Sequence, residues 1–288
     1  MATITAVKAG KTYKGTSGKD VIEIAVKAGN RITVNALGGN DTITVLGGST
    51  HTINTGTGID KVYLKKGSSH AVNTGTGNNS IYVRGGSSHT ITGNTGVDKL
   101  YVSAGSVKRA SLGSGNDIVS VTGGTLKSVN LGAGRNKITV TGGTVSSIVG
   151  GIGIDTINVS AQKKITIRAG NGNNVVTVNG IDNSRFSGVS RGTITAGTGT
   201  DTITINKGGF YKVNAGSGGD TIKAGGGSNL ITGGSGNDTI EVSSKYANAV
   251  DAGPGNDRIT LRGRGHNSAL IGGNGNDTIV VRHTNPTD

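Results

Sequence analysis

Hydrophobic and polar residues alternate along this chain in short bursts, and the bursts recur about every nineteen residues. After Asp60 the sequence runs Lys61-Val62-Tyr63-Leu64, and after Asp117 it runs Ile118-Val119-Ser120-Val121. Alternation with a period of two places Val62 and Leu64 on one face of a strand and Tyr63 on the other. The inward slots line up as two apolar columns. One runs from Ile22, Ile43, Val62, Ile81 and Leu100 to Ile279; the other lies two residues on, from Ile24, Val45, Leu64, Val83 and Val102 to Val281. Each period holds a second burst after a second glycine pair, as in Val129 and Leu131 beyond Gly123-Gly124. Two strands and two turns in nineteen residues make one flattened coil, which buries its apolar face only against the coils above and below.

The pattern therefore predicts an all-β protein, a single parallel β-solenoid of about fourteen coils with two strands per coil. The whole chain, 1–288, reads as one domain. Residues 1–14 read as an irregular first coil or partial cap, 181–188 as an inserted loop where the period stretches, and 282–288 as a tail. Composition agrees. Valine and isoleucine, 27 each, far outnumber the 10 leucines, and β-branched side chains favour strands. Glycine is abundant at 54 residues while proline occurs twice, so the glycine serves periodic turns and not a collagen or a linker. There is no cysteine, which excludes disulfides and thiolate metal sites. No stretch is long and apolar enough to span a bilayer, and the first ten residues lack the basic head and apolar run of a cleaved leader. The formal net charge of +13 favours acidic partners.

Eleven of the fourteen aspartates occupy one slot of the repeat: Asp20, Asp41, Asp60, Asp98, Asp117, Asp155, Asp201, Asp220, Asp238, Asp257 and Asp277, with Asn79, Asn136 and Asn174 filling the gaps. Each ends a glycine-rich turn. Gly233-Gly234-Ser235-Gly236-Asn237-Asp238-Thr239-Ile240-Glu241 and Gly272-Gly273-Asn274-Gly275-Asn276-Asp277-Thr278-Ile279-Val280 show the turn most fully. These segments resemble the nonapeptide G-G-x-G-x-D-x-U-x of the repeats-in-toxin (RTX) family. The resemblance implies a parallel β-roll, Ca²⁺ held between adjacent turns, and secretion without a cleaved leader. It covers only one turn of each coil: the other reads Gly47-Gly48-Ser49 or Gly142-Gly143-Thr144 and has no acid, so only one row of ions is expected. Two accounts of the aspartate row stay open. In one, neighbours such as Asp238 and Asp257 share Ca²⁺ with turn carbonyls. In the other, each side chain bonds the backbone of its own turn and no ion is needed.

Other columns suggest surfaces. Tyr63, Tyr82 and Tyr101 stack outward with Lys61 and Lys99 beside them, a candidate binding face for acidic polysaccharide. His51, His70 and His89 share a slot that Lys108 and Lys127 continue, which reads as an exposed basic column; without a carboxylate or thiolate nearby it makes a poor Zn²⁺ site. Thr57, Thr76 and Thr95 form a turn ladder like those of ice-binding solenoids. No set of unlike residues converges as a catalytic site requires, so no enzymatic activity is expected, and no RNA-binding signature is present. Ile22 and Ile24 near one end and Ile279 and Val281 at the other are the expected assembly surfaces. The first functional expectation is an extracellular structural protein that self-assembles head to tail into a filament, surface layer or biofilm matrix, with Ca²⁺ along one edge.

Overall fold

The structure, a computed structural model, describes residues 1–27, 29–160, 164–180, 191–207, 209–244, 246–263 and 268–282. Among them every regular element is a strand and no helix is long and apolar enough to cross a membrane. The segment expected as an inserted loop, 181–188, and the tail beyond Arg282 lie outside the described residues.

The fold is an all-β parallel β-solenoid of about fourteen turns, roughly 19 residues per turn, with two parallel sheets. The chain divides into two compact units, Met1–Ser147 and Ile148–Asp288. In the first unit, the strand that follows each aspartate turn builds one sheet, with Val62, Ile81, Leu100 and Val119 paired in parallel register. The strand that precedes the next aspartate turn builds the other sheet, with Ile53, Val72 and Ile91 in register. The second unit repeats this arrangement: Ile203, Ile222, Ile240 and Ile259 pair in one sheet and Ile194, Val213 and Ile231 in the other.

These residues form strands because alternation gives each coil one buried and one wet face. The β-branched inward side chains are almost completely buried, and each removes apolar surface worth about 1.5–3 kcal/mol from water. Glycine closes the coils where they touch most tightly. Gly113 and Gly115 hold φ at 97° and 143°, and a Cβ on either would lie 2.0 or 1.9 Å from a carbonyl oxygen of the coil before. A side chain there is excluded both by the backbone conformation and by the coil spacing.

The amino-terminal end corrects one expectation. Ile22 and Ile24 are 1% and 0% exposed, because the strand Thr3–Ala6 pairs above them, Ile4 over Ile22 and Ala6 over Ile24. Thr-Ile-Thr-Ala carries the same alternation as the later coils and simply adds one more strand. Ile279 and Val281, on the strand Thr278–Arg282, are 45% and 48% exposed.

Candidate functional site

The aspartate row is buried. Asp20, Asp41, Asp60, Asp98, Asp117, Asp155, Asp201, Asp220, Asp238 and Asp257 are at most 2% exposed, and Asp277 is half-buried. The side chains do not cap their own turns alone. In coil after coil, Oδ1 accepts the backbone N–H of the row's previous member: Asp20 N–H donates to Asp41 at 2.7 Å, Asp41 to Asp60 at 2.7 Å, Asp98 to Asp117 at 2.8 Å, Asp201 to Asp220, Asp220 to Asp238 and Asp238 to Asp257 each at 2.7 Å, and Asp257 to Asp277 at 2.9 Å. Asn79 and Asn174 accept in the same way, from Asp60 at 3.0 Å and Asp155 at 2.9 Å. The glycine turn pulls the backbone out of ladder register, and the carboxylate supplies the acceptor that each first strand N–H would otherwise lack. The bond that recurs along the row is thus one between coils, and Asp20 in addition bonds an N–H of its own turn, from Thr16.

The preceding slot forms a second, exposed ladder that runs the other way. Oδ1 of Asn40, Asn78 and Asn116 accepts N–H from Ile59, Val97 and Arg135 of the next coil at 2.7–2.8 Å. Its signal in the sequence is the frequent asparagine just before the aspartate.

The second carboxylate oxygen has no such partner. Oδ2 of Asp41, Asp117, Asp220, Asp238 and Asp257 is buried without a hydrogen bond. The asparagines reveal what surrounds it. With Oδ1 in the same role, Nδ2 of Asn79 donates to the Gly77 carbonyl at 3.0 Å, and Nδ2 of Asn174 donates to Gly172 at 2.8 Å and Gly170 at 3.2 Å. Where aspartate stands in that frame, an acceptor takes the place of the donor. Burial accordingly pushes Asp41, Asp117, Asp201 and Asp238 up to about 6 and Asp98 to about 7, with neighbouring carboxylates adding to the rise at Asp41 and Asp238. Asp20 differs. Burial raises it, but N–H bonds from Thr16 and Ala2 and the Thr16 hydroxyl outweigh this and hold it below the usual range.

An oxygen-only site that carries excess negative charge suits a hard cation. Among the described residues no three acidic, imidazole or thiol groups converge, so Ca²⁺ would be held by the row's carboxylates together with turn carbonyls of the aspartate coils, such as those of Gly115 and Gly236, which stand where Gly77 and Gly172 stand in the asparagine coils. The donor set fits the ion.

The opposite edge overturns the reading of the histidines. His51, His70 and His89 are fully buried. Their rings stack at 4.6 and 5.0 Å, with interplanar angles of 1° and 15°. Nδ1 accepts N–H of the previous coil, from Ile32 to His51 at 3.0 Å and from His51 to His70 at 3.3 Å. Nε2 of each ring lies 3.0–3.3 Å from the carbonyl four residues back, at Gly47, Lys66 and Gly85. These bonds require the neutral, Nε2-protonated tautomer, and they leave the nitrogens of His51 and His70 occupied, so this is no Zn²⁺ site. Burial lowers all three, His70 to about 4 with its two neighbours contributing. Lys108 and Lys127 do not continue the column. The register shifts after His89, which pairs with Val107, and both lysines are exposed. In the second unit Asn229 and Asn248 fill the equivalent role: their Oδ1 atoms accept N–H from Tyr211 at 3.3 Å and Asn229 at 2.8 Å, while their Nδ2 atoms donate to Gly226 and Tyr246.

The tyrosines do form a column. Tyr63, Tyr82 and Tyr101 stack at 4.8 and 5.0 Å, and the Arg84 guanidinium lies 5.4 and 5.5 Å from the first two ring centres. Lys61 is exposed and Lys99 half-buried beside them.

No curated protein matches the chain. RTX repeats typically bind Ca²⁺, and the proteins that bear them are generally secreted. Residues 214–244, which span the turns of Asp220 and Asp238, match the RTX calcium-binding nonapeptide repeat (4 copies), so this β-solenoid carries RTX repeats.

Proposed function

We propose that the chain is an extracellular structural solenoid, with no enzymatic activity of its own, which takes up Ca²⁺ along the aspartate edge and joins copies head to tail. The observation that carries the reading is the row of buried Oδ2 atoms without a hydrogen-bond donor at Asp41, Asp117, Asp220, Asp238 and Asp257. A cation satisfies those atoms, and because the row recurs coil after coil within each unit, it ties each coil to the next. The columns place like residues beside like, which suits a scaffold and not a catalyst. Assembly is supported by the strand edges. Thr278–Arg282 presents Ile279 and Val281 half-exposed, and Thr3–Ala6 pairs on one side only. Docking one on the other continues each apolar column, and a contact between unlike surfaces joins copies head to tail.

Calorimetry with and without Ca²⁺ tests the first part: Ca²⁺ raises the melting temperature, and Asp238→Ala with Asp257→Ala reduces the rise. Light scattering over a concentration series tests the second. Growth that Val281→Lys abolishes supports the assembly, and a strict monomer at high concentration in both conditions refutes it.

A further inference from the structure

In residues 1–147 there are sixteen Lys and Arg and six acids. Asp20, Asp41, Asp60, Asp98 and Asp117 are all buried in the edge row, which leaves Glu23 as the only exposed acid. Among the described residues none of these cations joins an ion pair; the pair that does occur, Arg262 with Glu241, belongs to the second unit. Residues 148–288 hold thirteen Lys and Arg against ten acids. The surface charge of the first unit is therefore nearly all positive and uncompensated, more than a count of its residues suggests.

Part of that charge is ordered. On the outer face of the sheet that follows the aspartates, Lys61, Ser80, Lys99, Ile118 and Lys137 stand in register, so a cation recurs at every second coil, an interval of about 10 Å. Two residues along each strand, the tyrosine column runs parallel to this row, with Thr44 before it and Ser120 after it. Lys65, Lys66 and Arg84 border it and are exposed. Tyr63 and Tyr82 spend ring faces on one another and on Arg84, and Tyr101 spends one face on Tyr82, so the column offers a ligand a row of hydroxyl groups and not a row of stacking platforms.

We propose that this face of the first unit binds an extended acidic polysaccharide laid along the column direction, with carboxylates on Lys61, Lys99 and Lys137 and sugar hydroxyls on the tyrosine, serine and threonine hydroxyls. A twofold, ribbon-like polyuronate turns a carboxylate to the same side at every second sugar, an interval of the same order as two strand spacings, about 10 Å. Single-stranded nucleic acid fits less well, because it needs free aromatic faces to stack its bases. A lipid surface fits less well because between Lys61 and Lys137 the row offers one large apolar side chain, the half-buried Ile118, which is too little to insert.

The test is binding of a defined-length polymannuronate to the full chain, with and without Ca²⁺, beside neutral dextran, oligo-dT and phosphatidylserine vesicles. The expected result is polymannuronate binding that weakens with salt and exceeds binding of the other three probes. Lys61→Gln, Lys99→Gln and Lys137→Gln together should weaken it roughly tenfold or more, and Tyr63→Phe, Tyr82→Phe and Tyr101→Phe by a smaller factor. Lys212→Gln with Lys223→Gln, in the second unit, should leave affinity unchanged. Circular dichroism checks that each variant is folded. No binding, binding indifferent to the lysine triple variant, or preference for dextran, oligo-dT or vesicles overturns the proposal.

Discussion

The two edges of the coil solve one problem with different residues, and one solution is far more nearly complete than the other. At both, a turn takes the backbone out of the ladder and a side-chain atom accepts the stranded N–H from the coil before. On the histidine edge the remaining polar atom is a donor, Nε2–H, and it finds a carbonyl. The amides of Asn229 and Asn248 do the same in the second unit. On the aspartate edge, at Asp41, Asp117, Asp220, Asp238 and Asp257, the remaining atom is a buried acceptor that finds no donor. The first edge closes on protein atoms at His51 and His70, leaving Nδ1 of His89 as its one unmatched ring nitrogen, whereas the second leaves an oxygen unmatched at coil after coil and suits a proton or a cation. The same geometry with one atom exchanged thus separates a structural seam from a binding row.

The largest expected effect comes from supplying the missing cation. At a hundredfold excess over its dissociation constant, each Ca²⁺ adds about 2.7 kcal/mol to stability, so a row of sites should raise the melting temperature far more than any single substitution changes it. Unchanged melting in Ca²⁺ and in EDTA would make the aspartate edge as self-sufficient as the other. The next effect breaks the histidine edge. His70→Ala leaves the His51 N–H without its acceptor and opens a cavity in the stack, at a cost of about 3 kcal/mol. His70→Asn, which copies the second unit, should recover part of that loss in chemical denaturation.

The edges also respond to pH in opposite senses. The folded state holds His70 near 4, below its ordinary 6.5, so its contribution is full above 6.5 and is lost as pH falls through about 4. The folded state holds Asp98 near 7, above 3.8. Without Ca²⁺ its contribution is present below 3.8 and is lost as pH rises through about 7. Melting temperature against pH in EDTA should therefore peak in mildly acid solution, and Ca²⁺ should flatten the alkaline side. A profile in which Ca²⁺ shifts the acid side instead would contradict this assignment.

A smaller effect sharpens the comparison most. Asp238→Asn gives the aspartate edge the donor that the asparagines of the same row already use, so it should stabilise the metal-free protein by about 1–2 kcal/mol while weakening its response to Ca²⁺. Destabilisation in EDTA would show that Oδ2 already has a donor. The smallest effect lies away from both edges: Tyr82→Ser, on the outer face, should change stability by no more than about 0.5 kcal/mol.

Periodicity alone determined most of the architecture. The columns Ile22 to Ile279 and Ile24 to Val281 and the glycine turns follow from a repeat that a one-residue slip would turn inside out, so sequence fixes register strongly wherever one face is apolar. The aspartate row was legible for the same reason. What tertiary structure decided is where polar side chains go at the turns, since no period distinguishes an inward slot from an outward one once the strand has ended. The same spacing that joined His89 to Lys108 in the sequence fails in space, because the register shifts there and Val107 takes the place under His89. The burial of the aspartates, their bonds to the previous coil and their unmatched second oxygens likewise arise only when coils stack, because the partners lie about nineteen residues away and within 3 Å.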